Sequence, residues 1–147
     1  MEIIELDRSR LTEIEGLWKE LNAHHAQSAS NFKEYFDTLT FEHRIRQLLH
    51  KEDLSLFVSS DTGEYVGYCI ATAERSKGEI DSIYVKASHR GQKIGHQLIT
   101  RAMEWLRVHD CSEIVIYVAE GNEKVLGFYE KYGFNKRYTV MGTSKER

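Results

Sequence analysis

The chain has 147 residues, 41% hydrophobic and 29% charged with a formal net charge of −3. These values suit one folded domain with a sizeable core and exclude a disordered or broadly polyanion-binding protein, so any basic site must be local. The two cysteines, Cys69 and Cys111, stand in apolar surroundings with no CxxC and no Cys/His ligand spacing, which leads us to expect a reduced cytoplasmic protein with buried thiols and no metal site.

The opening stretch MEIIELDRSR is too acidic for an export signal, and no apolar run of about 18 residues occurs anywhere. Neither export nor a membrane partner is expected. Residues 2–6 read as a first strand. From Ser9, a candidate N-cap, the apolar residues Leu11, Ile14, Leu17, Trp18 and Leu21 fall at the three-and-four spacing of an amphipathic helix that packs on a sheet. HHAQSASN then reads as a loop. FKEYFDTLTFEHRIRQLL reads as one or two helices, with Thr40 as a cap and Phe41, Ile45, Leu48 and Leu49 on one stripe.

LSLFVSS (54–60), the turn DTGE and YVGYCIATAE (65–74) predict a hairpin, because Gly63 supplies the positive φ of a tight turn. A second turn, RSKG, leads into the strand EIDSIYV (79–85). After the loop 86–93 comes a helix whose Ile94, Leu98, Ala102, Trp105 and Leu106 share a face. EIVIYV (113–118) follows, an apolar run suited to a strand covered on both sides. A helix between two such strands predicts a right-handed crossover and a parallel pair. Asn122 is placed to cap the helix EKVLGFYEKY, Gly133 ends it, and a last strand is expected around FNKRYTV. No proline-rich linker, low-complexity tract or repeat interrupts the chain, so residues 1–147 are expected to form one domain of mixed α/β (α+β) class, in the order β-α-α-β-β-β-α-β-α-β.

The segment Arg90-Gly91-Gln92-Lys93-Ile94-Gly95 lies between an apolar strand and an amphipathic helix. Such a junction gathers backbone N–H groups at the positive end of a helix dipole and favours a phosphate. It is not a P-loop, since only three residues separate Gly91 from Gly95 and no Lys-Ser/Thr follows, and it is not the dinucleotide GxGxxG. It follows the pattern Arg/Gln-x-x-Gly-x-Gly/Ala after a strand, with Lys93 in place of the first glycine. Together with EIDSIYV before it and GNEKVLGFYEKYGF after it, which is similar to NxxAxxLYxKxGF, the stretch from Glu79 to Phe134 resembles the GCN5-related N-acetyltransferases.

That resemblance implies a mostly antiparallel, twisted sheet with a splayed central parallel pair, and acetyl-CoA as cosubstrate. It implies that Arg90, Gly91, Gln92, Lys93, Ile94, Gly95 and His96 cradle the pyrophosphate, that Ile83, Tyr84 and Val85 pair with the pantetheine, and that the Val85 N–H faces the thioester oxygen. Asn122 matches the asparagine near the coenzyme, and Tyr129 matches the tyrosine that protonates the leaving thiolate; the other reading of Tyr129 is a core or rim tyrosine. Lys93 stands where the loop pattern has a glycine, so its backbone either avoids positive φ or carries strain, and its outward ammonium adds charge to the site. Ala87, His89 and Val125 also depart from the usual proline, aromatic and small residue.

Transfer of an acetyl group to an amine needs a group that takes a proton from the amine. Glu79 falls where many family members carry a catalytic glutamate. Strand alternation would put Glu79, Asp81, Ile83 and Val85 on one face, with the two carboxylates raising one another, unless a bulge breaks the parity. Otherwise Glu79 is an exposed strand start. The seven histidines give no standard metal spacing, and His24 or His25 either lines an acceptor pocket or ends a helix in solvent.

The activity so implied is acetyl transfer from acetyl-CoA to a primary amine, small molecule or peptide, in a ternary complex. The alternative is a non-catalytic CoA-binding or sensor module. Nucleic acid is not an expected partner, because the chain is net acidic and Arg101 and Arg107 should point to solvent. A homodimer is possible through the tail RYTVMG.

Overall fold

A computed structural model describes residues 2–143. Five strands, β1 (Ile3–Leu6), β2 (Asp53–Asp61), β3 (Glu64–Glu74), β4 (Lys77–Val85) and β5 (Glu113–Ile116), form one sheet in that order. The first four are antiparallel neighbours, and β4 and β5 are parallel. The helices are α1 (Glu15–Ser28), α2 (Lys33–Thr38), α3 (Phe41–Leu49), α4 (Ile94–Val108) and α5 (Leu126–Glu130). The described residues divide into two compact units. One comprises the chain up to Leu21 together with Leu39–Tyr117, and the other Asn22–Thr38 together with the chain from Val118; α1 contributes to both.

In the first unit each sheet face is covered by what the apolar periodicity provides. On one face Leu11, Ile14, Leu17, Trp18, Phe41 and Leu48 pack with Leu54, Leu56, Val58, Tyr68 and Ile70, and the Trp18 and Phe41 rings meet edge to face at 5.5 Å. On the other lie Ile94, Leu98, Ile99, Ala102 and Leu106 of α4, all buried. Each such aliphatic side chain removed from water stabilises the fold by about 1.5–3 kcal/mol. The glycines of β3 and β4 mark the close approach of α4: a Cβ on Gly67 would lie 3.2 Å from Leu98 Cδ1, and one on Gly78 would lie 2.7 Å from Leu106 Cδ2.

Both hairpins turn through two residues of positive φ, Thr62 (50°) with Gly63 (87°) and Arg75 (49°) with Ser76 (69°). The second turn is tighter than RSKG suggests, so β4 starts at Lys77 instead of Glu79. Other expectations are corrected at element ends. Asp7, not Ser9, is the first cap: its carboxylate accepts the Ser9 N–H at 2.8 Å and opens 3-10 turns over Arg8–Ile14 before α1 begins. HHAQSASN is helical as far as Ser28, because nothing in it breaks a helix. Thr40 does cap α3, accepting the His43 N–H at 3.1 Å, but Leu49 lies off the buried stripe and is 44% exposed. Three helices separate β1 from β2, FKEYFDTLTFEHRIRQLL supplying the larger of the two numbers expected of it. Cys69 is buried, while Cys111 is only partly so.

β5 ends at Ile116 and leaves Tyr117 exposed, so the run to residue 118 is not all strand. The strand expected around FNKRYTV is absent from the described residues, and Tyr138, Val140 and Met141 are exposed. A strand needs a paired neighbour as well as β-favouring residues, and that segment has no ladder.

The second unit is tied by its loops. The Glu120 carboxylate accepts the backbone N–H groups of Asn31 (2.9 Å) and Phe32 (3.1 Å) and the Asn31 side-chain amide (3.0 Å). Gly121, at φ 90°, lies so close to the Ser28 carbonyl that no side chain would fit. Gly133, at φ 92°, follows α5 and donates to the Glu130 carbonyl, as a helix-ending glycine does.

Candidate active site

The parallel register of β4 and β5 runs from Lys77↔Glu113 to Ile80↔Ile116 and stops, so Asp81–Val85 extend without a β5 partner. At the same point β4 bulges against β3: Ala71 pairs with Ile80 and Ile70 with Ser82, leaving Asp81 as the extra residue. Paired residues of a ladder share a face. Glu79, opposite Thr72, and Tyr84, opposite Tyr68, therefore lie on the α1/α3 face. Val85, opposite Gly67, lies on the α4 face with Ile83. The bulge thus breaks the expected alternation. Glu79 and Asp81 stay together, and Ile83 and Val85 turn to the other side.

Asp81 is the more buried carboxylate, its side chain 4% exposed, and it is ion-paired with Arg44 of α3. The Asp81 carboxyl stands raised overall, because burial raises it more than the Arg44 guanidinium and the Ser82 hydroxyl lower it. The buried hydroxyls of Tyr68 and Ser82 border this pair without completing a good hydrogen bond of their own. Glu79 is half-buried, and its carboxyl is raised first by burial and then by Asp81, against the lowering influence of Lys51, Arg44 and Lys77. Such a carboxylate is a stronger base than a solvated one.

At the end of β4, the Lys86 N–H donates to the Val66 carbonyl at 2.9 Å. Backbone groups alternate along a ladder, so the Val85 N–H and C=O face away from β3, to the side where β5 pairing has already stopped. The Val85 C=O accepts Arg90 Nε at 3.0 Å, and the Arg90 guanidinium lies 5.6 Å from the centre of the Tyr84 ring. The Tyr84 hydroxyl donates to Glu20 at 3.0 Å. Arg90 is thus held at the strand end.

The loop then makes a 3-10 turn over Ala87–His89. His89 Nε2 meets Asp61 at 2.8 Å, and its Nδ1 meets the Ser88 hydroxyl at 2.8 Å, which pins the loop to the end of β2. Gly91 and Lys93 both have positive φ, 82° and 64°, and α4 starts at Ile94. Lys93 adopts the left-handed conformation that favours glycine, at the cost of strain. Its exposed side chain makes no capping hydrogen bond, so it closes off none of the first-turn donors of α4. Gln92 and His96 are also exposed, and Ile94 is buried beneath them.

In the second unit, Tyr129 is buried in α5 and its ring meets those of Phe128 and Phe134 at 5.3 and 6.1 Å. Asn122 precedes a 3-10 turn over Glu123–Val125 but does not cap it through its side chain, contrary to its expected capping role. His24 and His25 sit in the last turns of α1, not in a loop, and burial lowers His25. Arg101 does not point to solvent as expected: it donates to the Ile3 carbonyl at 3.2 Å and lies over Phe57. Among the described residues, no three His, Cys, Asp or Glu side chains cluster as a metal site would, and no helix is long and apolar enough to cross a membrane. Sequence reasoning missed Arg44 and the Asp61–His89 contact, because partners 37 and 28 residues apart leave no local pattern.

The model of the acetyltransferase (GNAT) family matches residues 14–134. An acetyltransferase of Yersinia pestis is 30% identical over 96 residues, 65% of this chain and 67% of its own length. Among solved structures, the PaiA N-acetyltransferase of Thermoplasma acidophilum in complex with coenzyme A superposes with a TM-score of 0.73 at 21% identity, covering 95% of this chain and 94% of its own. The aminoglycoside N-acetyltransferase AAC(6')-Iy in complex with CoA gives 0.69 at 17% identity over 99% of both. With the family model matching most of its length, this chain belongs to the GNAT family of acetyltransferases.

Proposed function

We propose that the protein transfers an acetyl group from acetyl-CoA to a primary amine by direct attack in a ternary complex. The observation that carries this reading is the extension of β4 beyond its β5 pairing, followed at once by a loop of two positive-φ residues and an uncapped helix start. An open strand edge offers amide partners to an extended, amide-bearing ligand arm, and a helix start offers donors and a dipole to its phosphates. Ile83, Tyr84 and Val85 with Arg90–His96 are the proposed coenzyme contacts, together with Asn122. Bound acetyl-CoA would supply the activated thioester.

The chain's own part is to bind, polarise and move protons. The Val85 N–H, turned away from β3, suits the thioester oxygen. Glu79 takes the proton of the amine directly or through water, its raised carboxyl bringing it nearer to neutral pH. Tyr129 is the proposed proton donor to the departing thiolate, its phenol being of acidity comparable to the thiol that forms. The acceptor is a small molecule or a peptide amine. AAC(6')-Iy is solved with a bisubstrate analogue, CoA-S-monomethyl-acetylneamine, and another neighbour of this fold is a ribosomal-protein-alanine N-acetyltransferase. Fold alone therefore does not choose among amines.

Thermal unfolding with acetyl-CoA, and with ATP and NAD as controls, tests the coenzyme. A ligand at about 100 times its Kd stabilises by about 2.7 kcal/mol, a rise of several degrees. A rise with acetyl-CoA alone, followed by thiol release in the presence of an amine panel, supports the enzyme. No shift at saturation removes the coenzyme from the reading, and a shift without turnover of any amine leaves a CoA-binding module.

A further inference from the structure

Glu79 and Asp81 pose a problem of proton assignment. Glu79 and Asp81 share the α1/α3 face of β4, and the bulge at Asp81 turns Ile83 and Val85, which regular alternation would have placed with them, to the other face. Two neighbouring carboxylates tend to share one proton, and a shared proton makes a poor base. What distinguishes the two here comes from outside the strand. Arg44 reaches from α3 to pair with Asp81, whose side chain is 4% exposed, and Arg44 itself is 29% exposed. Its guanidinium also contacts Gln47 at 2.8 Å on its own helix, which fixes its direction.

The other charged groups that bear on Glu79 are Lys51, between α3 and β2, and Lys77 on β4 itself. Lys51 is shared with Glu74 at 3.8 Å. The residues facing Glu79 across the two ladders, Thr72 and Val115, carry no charge. Arg44 is thus the cation committed to this pair.

We propose that Arg44 is a positioning residue for the transfer reaction: by holding Asp81 as the buried carboxylate of an ion pair, it leaves Glu79 as the one carboxylate that exchanges a proton with the amine. The inference rests on the acetyl-transfer reading with Glu79 as base. The proton passes from the amine nitrogen to a Glu79 oxygen, and Asp81 keeps its charge throughout.

The test combines carboxyl-carbon NMR titration of Glu79 and Asp81 with the pH dependence of kcat/KM, in the wild type and in Arg44→Gln, Arg44→Lys and Asp81→Asn. In the wild type, Glu79 should titrate while Asp81 stays ionised. Arg44→Gln removes the counter-ion, so the pair should hold its last proton to a pH about one unit higher, and the acid limb of kcat/KM should move with it. Asp81→Asn leaves the cation and removes the negative neighbour, so the Glu79 titration and the limb should move about one unit lower. Arg44→Lys should restore the wild-type limb. Shifts of opposite sign are not what a loosened fold produces, and thermal melts of each variant establish folding. Should Arg44→Gln not fold, the Asp81→Asn and Arg44→Lys titrations decide alone.

The proposal is overturned by an Asp81→Asn titration that stays in place or moves upward, or by Asp81 titrating together with Glu79 in the wild type. If the wild type transfers acetyl to no amine, the acetyl-transfer reading fails, and the NMR titrations still decide whether Arg44 separates the two carboxylates.

Discussion

Replacing Lys93 by glycine should separate the fold's interest from the ligand's. Lys93 sits at φ 64°, ψ 18°, directly before α4, and its side chain is exposed without a capping bond. A side-chain-bearing residue in the left-handed region carries roughly 1–2 kcal/mol of strain. Glycine removes that strain but brings a freer unfolded chain, which takes back about 0.5–1 kcal/mol. The net gain is about 0.5–1 kcal/mol, a rise of roughly 1–4 °C in Tm for a chain of this size. Binding should move the other way. A solvent-facing ammonium near a pyrophosphate contributes up to about 1 kcal/mol, so Lys93→Gly should weaken acetyl-CoA up to about fivefold. Lys93→Ala is the control, since it loses the charge and keeps the strain. Differential scanning calorimetry of the free protein and isothermal titration with acetyl-CoA read the two effects. If Lys93→Gly melts no higher than Lys93→Ala, the strain assigned to this residue is wrong.

Tyr129→Phe should lower kcat by about 100-fold or more while leaving the Kd for acetyl-CoA unchanged, as loss of a general acid does; equal losses in both would make the tyrosine structural. Gly78→Ala would put a methyl group 2.7 Å from Leu106 Cδ2 and 2.9 Å from Cys111 Sγ. Overpacking of this kind destabilises by about 1–3 kcal/mol, and urea unfolding should show a lower midpoint with an unchanged slope. The Glu120 carboxyl is raised by its surroundings' exclusion of water, yet is lowered overall by the N–H groups of Phe32, Asn31 and Ser30. A depressed carboxyl stabilises the fold above its unfolded pKa of about 4.3 and loses that contribution as pH falls through the folded value. Glu120→Gln should therefore flatten the fall of Tm with acid below that pH. An acid profile identical to wild type would show that the Asn31–Phe32 contacts carry no linkage.

Several features were legible because they are local. Apolar spacing placed α1, α3 and α4 and the β2–β3 hairpin, since periods of 3.6 and 2 are properties of the backbone alone. The loop motif placed the proposed phosphate cradle, because glycine at Gly91 and a helix start at Ile94 are written in consecutive residues. Element ends were less legible. HHAQSASN is polar enough for a loop, yet it continues a helix already begun. FNKRYTV is apolar enough for a strand, yet a strand exists only where another meets it.

The sequence by itself determined which segments are amphipathic, that no long apolar span is present, and that a cation, Lys93, takes the place of a loop glycine. Only the tertiary structure decided how those segments are placed against one another. The bulge that parts Glu79 and Asp81 from Ile83 and Val85 depends on how β4 registers against β3. The end of β5 pairing at Ile80 depends on where two distant strands part. The proposed choice of Glu79 over Asp81 depends on a guanidinium 37 residues from Asp81. Register, edge and counter-ion are relations between segments, and no single segment encodes them.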